Sequence, residues 1–173
     1  MSYVELLGAQ HDRNAFDCGK EPLNSFLRQQ ARQNADRHLG VTQVVVKTNG
    51  DTQIQGYYTL VTRTFQAESV PARKKLPSGP IGVILLGRLA VDRQFHGQGL
   101  GQRMLLRAMA EVEMASRTIG IFALVLDVID EEAKAWYLGL DFGFQAFPED
   151  PGRLFVPIAF LRQLDFGTLG PEL

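Results

Sequence analysis

Three glycines spaced two residues apart, Gly97, Gly99 and Gly101, follow an apolar run in Leu86-Gly87-Arg88-Leu89-Ala90-Val91-Asp92-Arg93-Gln94-Phe95-His96-Gly97-Gln98-Gly99-Leu100-Gly101. Glycine lets a backbone approach a ligand closely and take left-handed conformations. Successive N–H groups can then converge on one point, at the positive end of the helix that follows. The chemistry predicted here is anion binding of the kind a pyrophosphate needs, by His96, Gly97, Gln98, Gly99, Leu100, Gly101 and Gln102. Two other glycine loops fit less well. The spacing is not G-x-G-x-x-G and the loop lies in mid-chain, against a dinucleotide fold; no Gly-Lys-Ser/Thr follows, against a Walker loop.

The second candidate stretch is Asp127-Val128-Ile129-Asp130-Glu131-Glu132-Ala133-Lys134-Ala135-Trp136-Tyr137. Asp130 suits a helix N-cap, and Glu131 and Glu132 suit the first turn. A tyrosine phenol with an ordinary pKa of about 10 can donate a proton to a leaving group. Tyr137 can equally be a half-buried aromatic with a satisfied hydroxyl, and the residues alone leave both readings open.

Together these stretches resemble the GCN5-related N-acetyltransferase superfamily. Its signature is Gln/Arg-x-x-Gly-x-Gly/Ala after a strand ending in hydrophobic-Val-Asp, here His96-Gly97-Gln98-Gly99-Leu100-Gly101 after Leu89-Ala90-Val91-Asp92. The resemblance implies one α/β domain over residues 1–173, a mixed central sheet whose third and fourth strands splay apart, and flanking helices. It implies acetyl-coenzyme A as cosubstrate and no metal. The pantetheine arm is expected against the main chain of Leu89, Ala90 and Val91, with an N–H near Val91 facing the thioester oxygen, where a fixed donor is worth a few kcal/mol of barrier. Asp127 and Asp130 are expected beside the cofactor, and Tyr137 as general acid toward its sulfur. The chain departs from the signature twice. His96 replaces Gln or Arg, which leaves the backbone donors untouched but changes the side chain offered to phosphate. Gly143-Phe144 follows Tyr137 six residues on, where most relatives place such a pair four residues on.

The elements that must position these groups are legible from periodicity. Leu23, Phe26, Leu27 and Ala31 form a helical stripe after Pro22, with Gly40 as the far boundary. Residues 41–47 and 54–65 read as strands joined by a tight Asn49-Gly50 turn with both central residues at positive φ. Residues 66–80 read as an exposed loop. Residues 81–91 read as a central strand, apolar on both faces. A helix carrying Leu100, Met104, Leu105, Ala108 and Val112 follows, then a strand at 121–129, a helix at 131–140 and a strand at 154–159. The pattern is that of a mixed α/β sheet.

Composition excludes several classes. With 45 % hydrophobic and 21 % charged residues in 173, the chain is an ordinary globular one that can bury a core unaided. A net charge of −1 gives no global signal for nucleic acid, so affinity for a polyanion must come from a local patch. The single cysteine, Cys18, allows no intramolecular disulfide and reads as a buried hydrophobe. No signal peptide and no apolar run long enough to cross a bilayer is visible, so a cytoplasmic protein is expected.

A narrower resemblance covers nearly the whole chain. Phe16-Asp17-Cys18-Gly19 before the first helix, Gly56-Tyr57-Tyr58-Thr59-Leu60, and Arg153-Leu154-Phe155-Val156-Pro157 are similar to the acetyltransferase toxins of toxin–antitoxin operons. That resemblance implies acetylation of the α-amine of aminoacyl-tRNA, a block to translation, a ribbon–helix–helix antitoxin and a homodimer. A local basic surface for RNA is expected from Arg28, Arg32, Arg37, Arg73, Lys74, Lys75 and Arg93. Two rival readings remain. A small amine or protein N-terminus could be the acceptor, drawn by Asp127, Asp130, Glu131 and Glu132; or the chain could be a non-catalytic coenzyme A-binding module.

Overall fold

The computed structural model describes residues 1–71 and 75–173. In chain order the elements are β1 (Tyr3–Leu6), α1 (Glu21–Gln29), α2 (Ala31–Asp36), β2 (Val41–Val46), β3 (Gly56–Gln66), β4 (Pro80–Val91), α3 (Leu100–Ala115), β5 (Ala123–Asp127), α4 (Glu131–Gly139), β6 (Gln145–Ala146), β7 (Arg153–Pro157) and α5 (Ile158–Leu161). The strands follow the order β1-β2-β3-β4-β5-β7-β6. β4 and β5 pair in parallel, whereas β1–β2, β2–β3, β5–β7 and β6–β7 are antiparallel. The sheet is mixed, as the pattern predicts. β1, β6 and α5 are additions, each of four residues or fewer and so too short to show a period.

The chain divides into two compact units: Met1–Val61 with Gly87–Ala108 and Phe166–Leu173, and Thr62–Leu86 with Met109–Asp165. In the first, the apolar face of α1 and α2 meets β2, β3 and the end of β4. Phe16, Cys18, Phe26, Leu27, Ala31, Val44, Val46, Ile54, Tyr57 and Ala90 make one buried cluster. The predicted single helix is two, interrupted at Gln30, whose φ of −118° departs from helical geometry. Its end also comes earlier than Gly40. His38 takes the left-handed position (φ 58°), and Leu39 N–H reaches back to the Asn34 carbonyl at 2.8 Å, closing the helix as a Schellman turn.

The hairpin between β2 and β3 differs from the expected tight turn. Gly50 has positive φ (82°) but Asn49 does not, and Asp51 N–H bonds the Thr48 carbonyl at 3.0 Å. The turn thus closes within a longer loop, and Gly56 rather than Ile54 opens β3.

In the second unit β4 meets β5 through Ile84↔Leu124, Leu85↔Val125 and Leu86↔Leu126, and β4 runs on past the last of these pairs. Leu124, Leu126, Leu154, Phe155, Val156 and Leu161 are fully buried or nearly so. α4 begins at Asp130, whose carboxylate accepts the Ala133 N–H at 2.8 Å, the N-cap that the residue types predict.

Candidate active site

The glycine loop lies wholly in the first unit. Gly97 and Gly99 have φ of 73° and 74°, and a Cβ added at either would meet nothing within 4 Å. Both glycines are therefore required by backbone conformation and not by crowding. The N–H groups of residues 97–102 donate to no described residue, whereas the next, Arg103 N–H, bonds the Gly99 carbonyl at 3.2 Å. A run of unspent amides at the start of a 16-residue helix suits a diphosphate. Leu100 is buried, while Gly97, Gln98 and Gln102 are exposed and Gly101 half-exposed.

The loop is braced at its entry. Asp92, only 5 % exposed, accepts the Asp17 N–H on one carboxylate oxygen (2.9 Å) and the Gln94 N–H on the other (3.0 Å). Arg93 N–H donates to the Asp17 carbonyl, and Asp92 N–H to the Gln55 carbonyl, both at 2.9 Å. The Asp17 carboxylate accepts from Gly19 N–H and from the Asn24 amide, each at 2.9 Å, and pairs with Arg93 at 2.6 Å. The Gly19 and Asn24 bonds, then the guanidinium, hold its pKa below the usual carboxylate value. His96 closes the brace, with Nε2 2.7 Å from the Val91 carbonyl. That ring nitrogen donates to the protein, so only Nδ1 of this exposed side chain is left for a ligand.

Leu89 and Val91 are half-buried and Ala90 is buried. Arg88, just before them, stacks its guanidinium on the Phe26 ring at 3.7 Å. Burial pulls its pKa down, with the Tyr57 phenol opposing. Tyr57 is fully buried and donates to the Leu23 carbonyl at 2.7 Å. Cys18 is buried, its thiol pushed up by that burial, as a structural cysteine should be.

Tyr137 lies in the second unit, on α4, 8 % exposed. Trp136 (4.9 Å, 73°) and Phe144 (5.8 Å, 70°) meet its ring edge to face. Its hydroxyl makes no side-chain hydrogen bond with a described residue, and it is not among the fully buried polar atoms. Burial pushes the phenol well above its ordinary pKa. The longer Tyr137-to-Gly143 connection is a turn with Asp141 (φ 56°) and Gly143 (φ 82°) left-handed, and it delivers Phe144 to the Tyr137 ring. Asp127 is paired with Arg153 at 2.7 Å and Asp130 caps α4, while Glu131 and Glu132 are exposed.

The basic residues are divided between the two units. Arg28 is paired with Glu21 and Arg93 with Asp17; Arg32 is half-exposed and Arg37 exposed on α2 and its end; Lys75 is exposed in the other unit. Arg73 and Lys74 lie outside the described residues. No three His, Cys, Asp or Glu among the described residues are placed to hold a metal. Asn24, Asp92 and Arg88 were missed by sequence reasoning, since nothing in local period or motif spacing marks a long-range bond.

No protein-family model matches the chain. A tRNA-acetylating toxin of Mycobacterium tuberculosis is 32 % identical over 155 residues, which cover 88 % of this chain and 90 % of that one. The chain belongs to the tRNA-acetylating toxin family. Among solved structures, a tyrosine-to-phenylalanine mutant of KacT matches the family fold of this chain with a TM-score of 0.86 at 32 % identity, over 95 % of this chain and 99 % of that one. AtaT complexed with acetyl-methionyl-tRNAfMet matches with a TM-score of 0.85 at 31 % identity, over 94 % and 98 %. Members of the family have also been solved as AtaTR bound with AcCoA and as AtaT bound to the C-terminus of its antitoxin AtaR.

Proposed function

We propose that this chain is the toxin of a toxin–antitoxin pair, one catalytic domain over residues 1–173 that moves an acetyl group from acetyl-coenzyme A to the α-amine of aminoacyl-tRNA and so blocks translation. The observation that carries the reading is the row of main-chain N–H groups at 97–102, which donate to no described residue and start a long helix. Acetyl-coenzyme A, when bound, supplies an activated acetyl group as a thioester. The chain's own groups do the rest. Amides of residues 97–102 hold the diphosphate, and the main chain of Leu89, Ala90 and Val91 orients the pantetheine arm, with the Val91 N–H directed at the thioester oxygen. An α-amine titrates near 8, so a useful fraction is neutral at pH 7 and no strong general base is required. As the amine attacks and the carbon–sulfur bond breaks, Tyr137 donates its proton to the departing sulfur, and the surplus ammonium proton passes through water to the Tyr137 phenolate, which restores the acid. The upward shift of its pKa keeps the phenol protonated at every working pH.

Asp127 and Asp130, which also pair with Arg153 and cap α4, lie beside the cofactor, and Arg32, Arg37 and Lys75 supply positive charge for RNA. The partner is a ribbon–helix–helix antitoxin, the assembly a homodimer, and the compartment the cytoplasm; no described helix is long and apolar enough to cross a membrane. The test is incubation with labelled acetyl-coenzyme A and total charged tRNA, comparing the native chain with Tyr137→Phe. Label is expected on RNA and reduced roughly 10²- to 10⁴-fold in the variant. Label confined to small amines would overturn the acceptor, and no transfer at all would leave a coenzyme-binding module.

A further inference from the structure

The mechanism above leaves one half-buried charge unused. Arg88 sits on β4 directly before the segment 89–91, stacked on Phe26, which is itself only 4 % exposed. Two carboxylates of the same unit are engaged elsewhere: Asp17 with Gly19, Asn24 and Arg93, and Asp92 with the N–H groups of Asp17 and Gln94. The hydroxyl of Tyr57 is committed to the Leu23 carbonyl. Among the described residues, none accepts a hydrogen bond from Arg88. A guanidinium stacked by one face keeps its in-plane N–H fork available, and that fork matches the oxygens of a phosphate. Partial desolvation without a protein partner is costly unless a ligand offsets it.

Position decides which ligand. Strand rise places the Cα of Arg88 roughly 10 Å from that of Val91, where the thioester oxygen is proposed to lie. In an aminoacyl ester of a terminal nucleotide, a chain of single bonds of about the same extended reach joins the α-amine to the 5′-phosphorus. We propose that Arg88 is a specificity-determining residue that binds the 5′-phosphate of the terminal aminoacylated nucleotide, fixing the α-amine at the acetyl group; this rests on the aminoacyl-tRNA reading above. The site distinguishes a nucleotide ester from a free amino ester, because only the former carries the anion.

The experiment compares two minimal acceptors, a 3′-aminoacyl adenosine and the same ester bearing a 5′-monophosphate. The native chain is expected to favour the phosphorylated acceptor by roughly 10- to 100-fold in kcat/KM, the range of a bidentate charge-assisted contact. Arg88→Met should abolish that preference, keep the rate on the unphosphorylated ester, and leave acetyl-coenzyme A affinity within about twofold by calorimetry. Arg88→Lys, which keeps charge but not the fork, should retain a fraction of it, and decides the matter alone if the methionine variant does not fold. Equal rates on both acceptors by the native chain, an equal fall on both in the variants, or a fall in coenzyme affinity would overturn the assignment. The last outcome would mean that the phosphate is the coenzyme's own. If the native chain acetylated simple amines but neither ester nor charged tRNA, the acceptor reading would fail first and take this one with it.

Discussion

At the scale of single residues, the acid role proposed for Tyr137 rests on its burial. Its ring is held by two aromatic edges and its hydroxyl is left without a described partner. Removing the ring from water raises the phenol's pKa, so the folded protein holds a proton that an exposed phenol would release above pH 10. Two outcomes follow. The pH profile of kcat/KM should rise as the acceptor amine loses its proton near pH 8 and then stay flat to about pH 10, with no descending limb from Tyr137. Stability should fall above pH 10, since the native state there binds more protons than the unfolded one. A bell-shaped profile centred near pH 7 would assign the acid role to another group. Tyr137 could be picked as a candidate because the resemblance to the acetyltransferase superfamily marks that position, not because the residues alone single it out. Its missing hydrogen bond could not, because that depends on what surrounds the ring.

At the scale of elements, glycines do two different jobs. Gly97 and Gly99 face open space, so a methyl group there meets no atom and only the left-handed backbone objects, at about 1–2 kcal/mol. Gly99→Ala is expected to raise the KM for acetyl-coenzyme A several-fold while the melting temperature moves by only a few degrees, read by steady-state kinetics and thermal unfolding. Gly143 is different. Its φ is 82° and an added Cβ would lie 2.5 Å from the Phe160 ring, so Gly143→Ala combines strain with a clash. It should lower the melting temperature more than Gly99→Ala and also slow turnover, because the turn presents Phe144 to Tyr137. The helical stripe was legible because it repeats from turn to turn, and the central strand because its apolar run is long. The break at Gln30 and the left-handed His38 were not, since side-chain type at those positions does not dictate φ.

At the scale of the whole molecule, a net charge of −1 means that RNA must be held locally, by few phosphate contacts. Arg32, Arg37 and Lys75 have no ion-pair partner among the described residues, whereas Arg28 and Arg93 do. Activity on charged tRNA is expected to fall roughly tenfold or more between 50 and 200 mM salt, and Arg32→Gln or Arg37→Gln to shallow that slope by about one each. Activity on a minimal aminoacyl adenosine should be nearly indifferent to salt; equal salt dependence on both would remove RNA contact from the account. What the amino-acid order determined by itself is an anion-binding glycine loop after a strand and a helix capped by an aspartate, local features set by backbone freedom and helical period; acetyl transfer and the role of Tyr137 came from the resemblance those features carry. What only the tertiary structure decided is which groups are left unspent. Asp17 and Asp92 clasp each other's segments across 75 residues, His96 turns to its own strand, and Arg88 stacks on a helix 62 residues away. Hydrogen-bond partnership over such separations is a property of the packed chain, because it is fixed by which surfaces exclude water together.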